Sequence, residues 1–143
     1  MTTSQTSRTS PTPEPLRLGL ADRFGHGPLD GGWWPRSRDL SVEAADLVDQ
    51  FPEVRGRIDR LVYSRPDWST LEHRVTGARG SVKLESFPRD DTHTMVLILA
   101  SGRTLRLMVV PADTQPGLAA AMLRTAGAQG NSYDADAILR AIG

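Results

Sequence analysis

Residues 29–40 read Leu-Asp-Gly-Gly-Trp-Trp-Pro-Arg-Ser-Arg-Asp-Leu and join two of the three tryptophans to the lead-in of a helix. Asp30 with two following glycines is typical of a turn, because Asp bonds its own backbone and glycine adopts positive φ without steric cost. Trp33 and Trp34 favour a strand, in which neighbouring side chains face opposite sides of the sheet. Pro35 has no N–H to donate, so the strand ends there or lies on a sheet edge. We therefore predict a corner with one indole in the main core and the other towards a second layer or solvent.

The segment after this corner predicts an amphipathic helix from Val42 to Phe51. Ser41 is the expected N-cap, and Leu40 precedes it as an apolar staple. Pro52 ends the helix because the residue before a proline avoids helical geometry. The apolar stripe follows helical spacing and consists of Ala44, Leu47, Val48 and Phe51.

The middle of the chain predicts strands, since apolar and polar residues alternate between turn residues. Together with a short strand at Leu16–Leu20, we expect strands over 58–64, 71–76, 81–87, 94–100 and 103–110. Ser101-Gly102 predicts a two-residue hairpin turn. The strand over 94–100 is apolar on both faces, so we expect it near the centre of a sheet that is covered on both sides.

Two further helices are expected near the end of the chain. The first is capped by Asp113 or Thr114, carries Leu118 in its apolar stripe and stops at Gly127. The second is capped by Ser132. The order of elements predicts an α+β fold with a largely antiparallel sheet of about six or seven strands packed with three helices.

Composition and charge limit the domain organisation and the function. Residues 1–15 are polar and Pro-rich, so we predict a disordered tail followed by a single domain over 16–143. The chain has no Cys, which excludes disulfides, thiolate metal sites and a Cys nucleophile. The 17 basic residues, of which only Lys83 is lysine, are balanced by 17 acidic residues without a basic block, which argues against nucleic acid as a partner. Without a long apolar run or a signal segment, we expect a cytoplasmic protein with no membrane contact.

Few residues suggest catalysis. Asp90-Asp91-Thr92-His93 could form a metal or acid–base site, but Asp is equally expected in the turn between two strands. Asp30, Asp39 and Glu43 could pair as acid and base beside tryptophans that stack on a sugar. The sequence contains no Gly-rich phosphate loop, nucleophile elbow or zinc spacing. We therefore expect no cofactor and no metal.

The corner itself suggests an anion site. Arg36 and Arg38 immediately precede a helix N-terminus, where free N–H groups and the helix dipole favour negative charge. Asp39 and Glu43 lie at the same place, and their carboxylates could supply the negative charge that this helix N-terminus favours. Structural ion pairs, Arg38 with Asp39 or Arg36 with Glu43, are the competing interpretation.

Two stretches carry a family resemblance: residues 29–40 and Val109-Val110-Pro111-Ala112-Asp113-Thr114. They are similar to DUF5994, a family of uncharacterised bacterial proteins, and the likeness covers roughly residues 16–126. The resemblance implies one compact bacterial domain. It supplies no reaction, cofactor or catalytic residue.

Two functions from different classes remain open. In the first, a non-catalytic binding or regulatory module presents the corner, with or without the second sheet face, to a protein partner or to a second copy of itself. In the second, a small-molecule binding protein or small enzyme takes an anion or sugar in a pocket lined by Trp33 or Trp34 with Arg36 and Arg38. A concave pocket beside the tryptophans favours the second function, whereas a flat apolar patch favours the first.

Overall fold

A seven-stranded sheet forms the centre of the computed structural model, which describes residues 14–143. The strands, in chain order, are β1 (Leu18–Leu20), β2 (Gly31–Trp33), β3 (Ile58–Tyr63), β4 (Arg74–Gly77), β5 (Gly80–Ser86), β6 (Thr94–Leu99) and β7 (Thr104–Val109). The α-helices of this part of the chain are α1 (Leu40–Gln50), α2 (Pro116–Ala126) and α3 (Ala135–Ile142), and 3-10 helices span Glu53–Arg55 and Arg65–Asp67. The α+β class expected from the sequence is confirmed.

The sheet is mixed rather than purely antiparallel, which corrects the prediction at two places. The strand order is β1-β2-β7-β6-β3-β5-β4, with β2 parallel to β7 and β3 parallel to β5. The other neighbouring pairs are antiparallel. Alternating apolar residues reveal strands and their local hairpins, but they do not reveal which distant strand lies alongside.

Two β-hairpins form in the second half of the chain, β4–β5 and β6–β7. β4 and β5 pair up to Gly77 and Gly80, which leaves two residues in the turn. The turn between β6 and β7 is longer than predicted, because the Leu99 N–H donates to the Arg103 carbonyl and three residues close the loop. Gly102 has a φ of 90°, as expected for a three-residue hairpin loop.

The two tryptophans of the corner pack in different cores, as the alternation of side-chain direction along a strand predicts. Trp33 is 1% exposed and belongs to the main core, which also holds the buried face of α1. Trp34 is partly buried and packs against the second core, which is formed mainly by α2 and α3. The corner therefore joins the layers on the two faces of the sheet.

The Gly-Gly pair lies inside β2 and not in a turn, which corrects the turn interpretation. The positive-φ glycines of the described chain are elsewhere, at Gly25, Gly56, Gly80, Gly102 and Gly130. A Cβ on Gly32 would lie 3.1 Å from the Ala126 Cβ and 3.2 Å from Leu123 Cδ2. Glycine at this position lets α2 pack closely on the strand.

The predicted helix caps are displaced by a few residues. Asp39, and not Ser41, caps α1, because its carboxylate accepts the Ser41 N–H. Gln115 precedes α2 without a side-chain cap, in place of Asp113 or Thr114. Asp134 caps α3 in place of Ser132. Several capping residues stand close together before each helix, so local composition does not identify the one that bonds.

The Asp39 cap makes stability depend on pH. The bond from the Ser41 hydroxyl, followed by main-chain bonds from Val42 and Ser41, lowers the pKa of Asp39. Ionised Asp39 therefore stabilises the fold above its unfolded pKa of about 3.9, and this stabilisation is lost as the pH falls through the lower folded value. Asp39→Asn keeps a good cap but does not titrate. We expect the variant to lose less stability between neutral and acidic pH in urea unfolding; an equal loss would contradict this role.

The predicted tail over 1–15 falls largely on residues 1–13, which lie outside the described residues. Glu14 and Pro15 follow, and their carbonyls accept bonds from Gln50 and Arg36. Across residues 14–143, every helix is too short or too polar to cross a membrane.

Candidate functional site

The corner loop is held against the start of α1 by a buried carboxylate. Glu43 is 7% exposed and accepts the Arg36 N–H at 3.0 Å and the Ser37 hydroxyl at 2.8 Å. Asp39 accepts the Ser41 N–H and hydroxyl on the same side of the helix. The chain's own carboxylates therefore occupy this helix N-terminus, and the anion site expected there is satisfied internally.

The two arginines of the corner point to different parts of the molecule. Arg36 donates to the Pro15 carbonyl and lies 3.2 Å from the Glu14 carboxylate. Arg38 is exposed and donates to the carbonyls of Pro66 at 2.9 Å and Asp67 at 3.2 Å. Neither expected pair, Arg38 with Asp39 or Arg36 with Glu43, is among the side-chain ion pairs of residues 14–143, because carbonyl oxygens and Glu14 take the guanidinium donors instead.

Trp34 ties the corner to the segment after β7. Its Nε1 donates to the Ala112 carbonyl at 3.3 Å. The Arg17 guanidinium lies 3.5 Å from the centroid of the Trp34 ring and donates to the Trp34 carbonyl. Burial, and then the charge of Arg36, lower the pKa of Arg17. Such a contact orders both side chains.

Asp30 and Trp33 lie in the interior and are not part of the candidate site. Asp30 is 6% exposed, and its carboxylate accepts the Gly25 N–H at 2.7 Å and the Arg106 N–H at 2.9 Å. It connects the preceding loop to β7. Because Asp30, Asp39 and Glu43 all satisfy backbone or hydroxyl donors of the chain, they offer no free acid–base pair for a sugar.

A cleft of about 490 Å³ lies beside the corner. Its walls come from the corner, the 3-10 helix before Trp68, the turn before β6 and the segment after β7. The lining residues are Pro35, Ser37, Arg38, Pro66, Asp67, Thr92, His93, Val109, Val110, Pro111, Ala112 and Asp113. The two stretches that carry the family resemblance, residues 29–40 and 109–114, therefore contribute walls to the same cavity.

A buried carboxylate and an imidazole meet in this cleft. The Asp67 side chain is 3% exposed and accepts the His93 N–H at 2.8 and 3.0 Å, and its oxygen lies 3.5 Å from His93 Nδ1. Burial raises the pKa of Asp67, while the bond and the charge from His93 and the charge of Arg38 partly oppose that rise. His93 has a φ of 67°, which a non-glycine residue rarely adopts. Asp67 thus holds a strained residue in place at the edge of the cleft.

The cleft combines apolar walls with a few polar groups, as small-molecule sites do. The guanidinium of Arg38 uses Nε and Nη2 on carbonyls, so further N–H donors stay available to a ligand. His93 adds an imidazole. Among residues 14–143, no group of three or more His, Asp or Glu side chains is placed to hold a metal ion.

The sequence interpretation included Arg38 and named His93, with Asp90 and Asp91, as a candidate metal or acid–base group in a turn, but it missed Asp67. Asp67 and His93 are 26 positions apart in sequence. Tertiary contacts between their two segments, among them the bond from the His93 N–H to the Asp67 carboxylate, bring them together. The Val109–Asp113 wall was visible as a motif, although its position beside the corner depends on the parallel pairing of β2 with β7.

A second cavity, of about 550 Å³, offers less chemistry. It lies along β1 and is lined mainly by Leu16, Leu18, Leu20 and Val54. Its cation, Arg55, donates to the Ala21 and Asp22 carbonyls and lies over the Phe24 ring. We therefore place the candidate site in the cleft beside the corner.

Comparison with known proteins gives a family and no activity. No curated protein and no solved structure matches the chain. The model of a family of unknown function, DUF5994, matches residues 17–126, which is most of the chain and includes the corner and the Val109–Asp113 wall. The chain belongs to the DUF5994 family.

Proposed function

We propose that this protein is a non-catalytic binding module that takes a small organic acid in the cleft beside the corner. The observation that carries the proposal is the cleft itself, with Arg38 and His93 on walls that are otherwise largely apolar. The ligand's apolar body packs against the proline and valine side chains, and its carboxylate meets Arg38. A concave pocket favours a small ligand over a flat protein interface. Of the four residues expected to line such a pocket, Arg38 does so, whereas Trp33, Trp34 and Arg36 are not among the lining residues.

The guanidinium of Arg38 supports an anionic ligand, and the carboxylates that line the same cleft are Asp67 and Asp113. Arg38 is fixed by two carbonyl oxygens, so little side-chain entropy is lost when its remaining donors bind a carboxylate. The nearest buried carboxylate, Asp67, already accepts the His93 N–H with both oxygens.

An acid–base reaction is not part of the proposal. In a catalytic dyad the carboxylate orients the imidazole through a short bond to its N–H. Here the Asp67 oxygens bond the main chain of His93, and the separation from Nδ1 is 3.5 Å. The geometry favours support of the turn over proton transfer.

Arg38→Gln is expected to weaken binding of organic acids by about tenfold or more, the cost of a lost charge-assisted hydrogen bond. The probes are benzoate, phenylacetate and hexanoate, each compared with its primary amide by ligand-detected NMR, with affinities from calorimetry. Arg103→Gln is the matched control, since Arg103 is exposed in the hairpin loop at the other end of β6. Equal binding of acids and amides, or no effect of Arg38→Gln, would remove the proposal.

A further inference from the structure

Within residues 14–143, one half of the sheet carries no helix on the face opposite α1. The second core, under α2 and α3, contains Met108 and Val110 and none of its buried residues comes from β3, β4, β5 or β6. On those four strands, side chains that point into the main core alternate with side chains that point to this uncovered side. We call it the open face and define it by Arg60, Val62, Arg74, Lys83, Val96 and Ile98.

The centre of the open face is apolar. Val62 pairs with Val96 across β3 and β6, and Ile98 pairs with Arg60 in the next position. All three aliphatic side chains are partly exposed, whereas Met95, Leu97 and Leu99 on the other side of β6 are buried. The prediction that β6 is apolar on both faces is thus correct, but the described chain provides a covering helix for only one of them.

Three cations stand side by side at the edge of this apolar centre. The register pairs Arg60 with Lys83 and Lys83 with Arg74 on three adjacent strands, and Lys83 is the only lysine of the chain. Like charges directly opposite each other destabilise a sheet. Glu85 lies 3.5 Å from Arg60 and 3.8 Å from Lys83 and is shared between them. Arg74 bonds the Ser81 hydroxyl and has no carboxylate partner among residues 14–143.

We infer that the open face binds an acidic amphipathic helix of a partner protein. Apolar residues of that helix cover Val62, Val96 and Ile98, and its carboxylates neutralise the surplus positive charge of the cation row. The bound helix continues the layer that α2 and α3 already form on the same side of the sheet. This interaction is separate from ligand binding in the cleft and does not depend on it.

Nucleic acid matches the open face less well. The strand residues on this face include no aromatic ring on which a base could stack. A protein segment with both carboxylates and apolar side chains matches both parts of the surface.

The test uses a labelled helical peptide with Leu on one side and Glu on the other, and measures its binding to the full-length protein by fluorescence anisotropy. Reversing Lys83 and Arg74 together, as Lys83→Glu with Arg74→Glu, is expected to weaken binding about tenfold or more and to reduce its salt dependence. The matched control is Arg23→Glu with Arg103→Glu, which makes the same change in net charge at exposed positions in loops. Val96→Thr tests the apolar centre and is expected to weaken binding without changing the salt dependence.

The outcomes separate the possible occupants. Loss of peptide binding in the open-face variant, with binding retained in the loop control, supports the inference. If the charge-reversal variant does not fold, Lys83→Gln with Arg74→Gln replaces it. Equal loss in both charge variants overturns the inference, since net charge alone then explains binding. Tighter binding of oligo-dT than of the peptide also overturns the inference, because nucleic acid is then the occupant. So does a dimer of the wild-type protein that is lost in the open-face variant, because a second copy is then the occupant.

Discussion

Trp33→Ala is expected to lower the free energy of unfolding by about 4 kcal/mol, near the upper end of single core truncations. Trp33 is 1% exposed, and its ring centroid lies 5.7 Å from that of Trp68 at an angle of 34°. The truncation removes this aromatic contact and leaves a large cavity beneath α1. Urea unfolding followed by far-UV circular dichroism measures the change without relying on tryptophan fluorescence.

Trp34→Ala is the matched control for that experiment. Trp34 is partly exposed, and its indole hydrogen bond to Ala112 is long at 3.3 Å. We expect a smaller loss of about 1–2 kcal/mol, from partial burial and the contact with Arg17. If the two substitutions cost the same, the assignment of Trp33 to the main core and Trp34 to the rim of the second core is wrong.

Gly31→Ala is expected to cost about 3 kcal/mol or to prevent folding, because overpacking here strains the main chain. A Cβ at this position would lie far inside van der Waals contact with the Gly19 carbonyl oxygen and 3.1 Å from the Leu20 Cα. Both are main-chain atoms of the paired strand β1, which cannot move aside without breaking the register of the pair. Thermal and urea unfolding measure the loss.

Gly117→Ala provides the control for a glycine without this constraint. Gly117 lies in the first turn of α2, and a Cβ there comes no closer than 3.6 Å to the Gln115 side chain. Alanine favours a helix over glycine by up to about 1 kcal/mol, so we expect a neutral or stabilising change. If Gly31→Ala is also neutral, close packing is not the reason for the Gly-Gly pair.

The sequence predicts the elements of this fold better than their arrangement. Periodicity locates all three helices and the β6–β7 hairpin, because these patterns depend on residues close together in the chain. The parallel pairs β2–β7 and β3–β5 join distant segments, and nothing local marks their partners. Gly31 and Gly32 look like turn residues in the sequence, since their real constraint, the approach of β1 and α2, arises only in three dimensions.

The candidate site was predictable only in part. Arg38 stood out in the corner motif, yet its bonds to Pro66 and Asp67 depend on a 3-10 helix almost thirty residues away. Sequence spacing predicts ion pairs between neighbours such as Arg38 and Asp39, but carbonyl oxygens compete for the same donors. Asp67 gave no local signal, because its burial and its bond to His93 follow from the tertiary fold.

The most direct test of a binding cleft is an amide chemical-shift map of the ¹⁵N-labelled protein during titration with benzoate. We predict that the shifts concentrate at Ser37–Asp39, Thr92–His93 and Val110–Asp113 and disappear in Arg38→Gln. Shifts along Leu16–Leu20 instead, or none at millimolar benzoate, would contradict the assignment of ligand binding to this cleft.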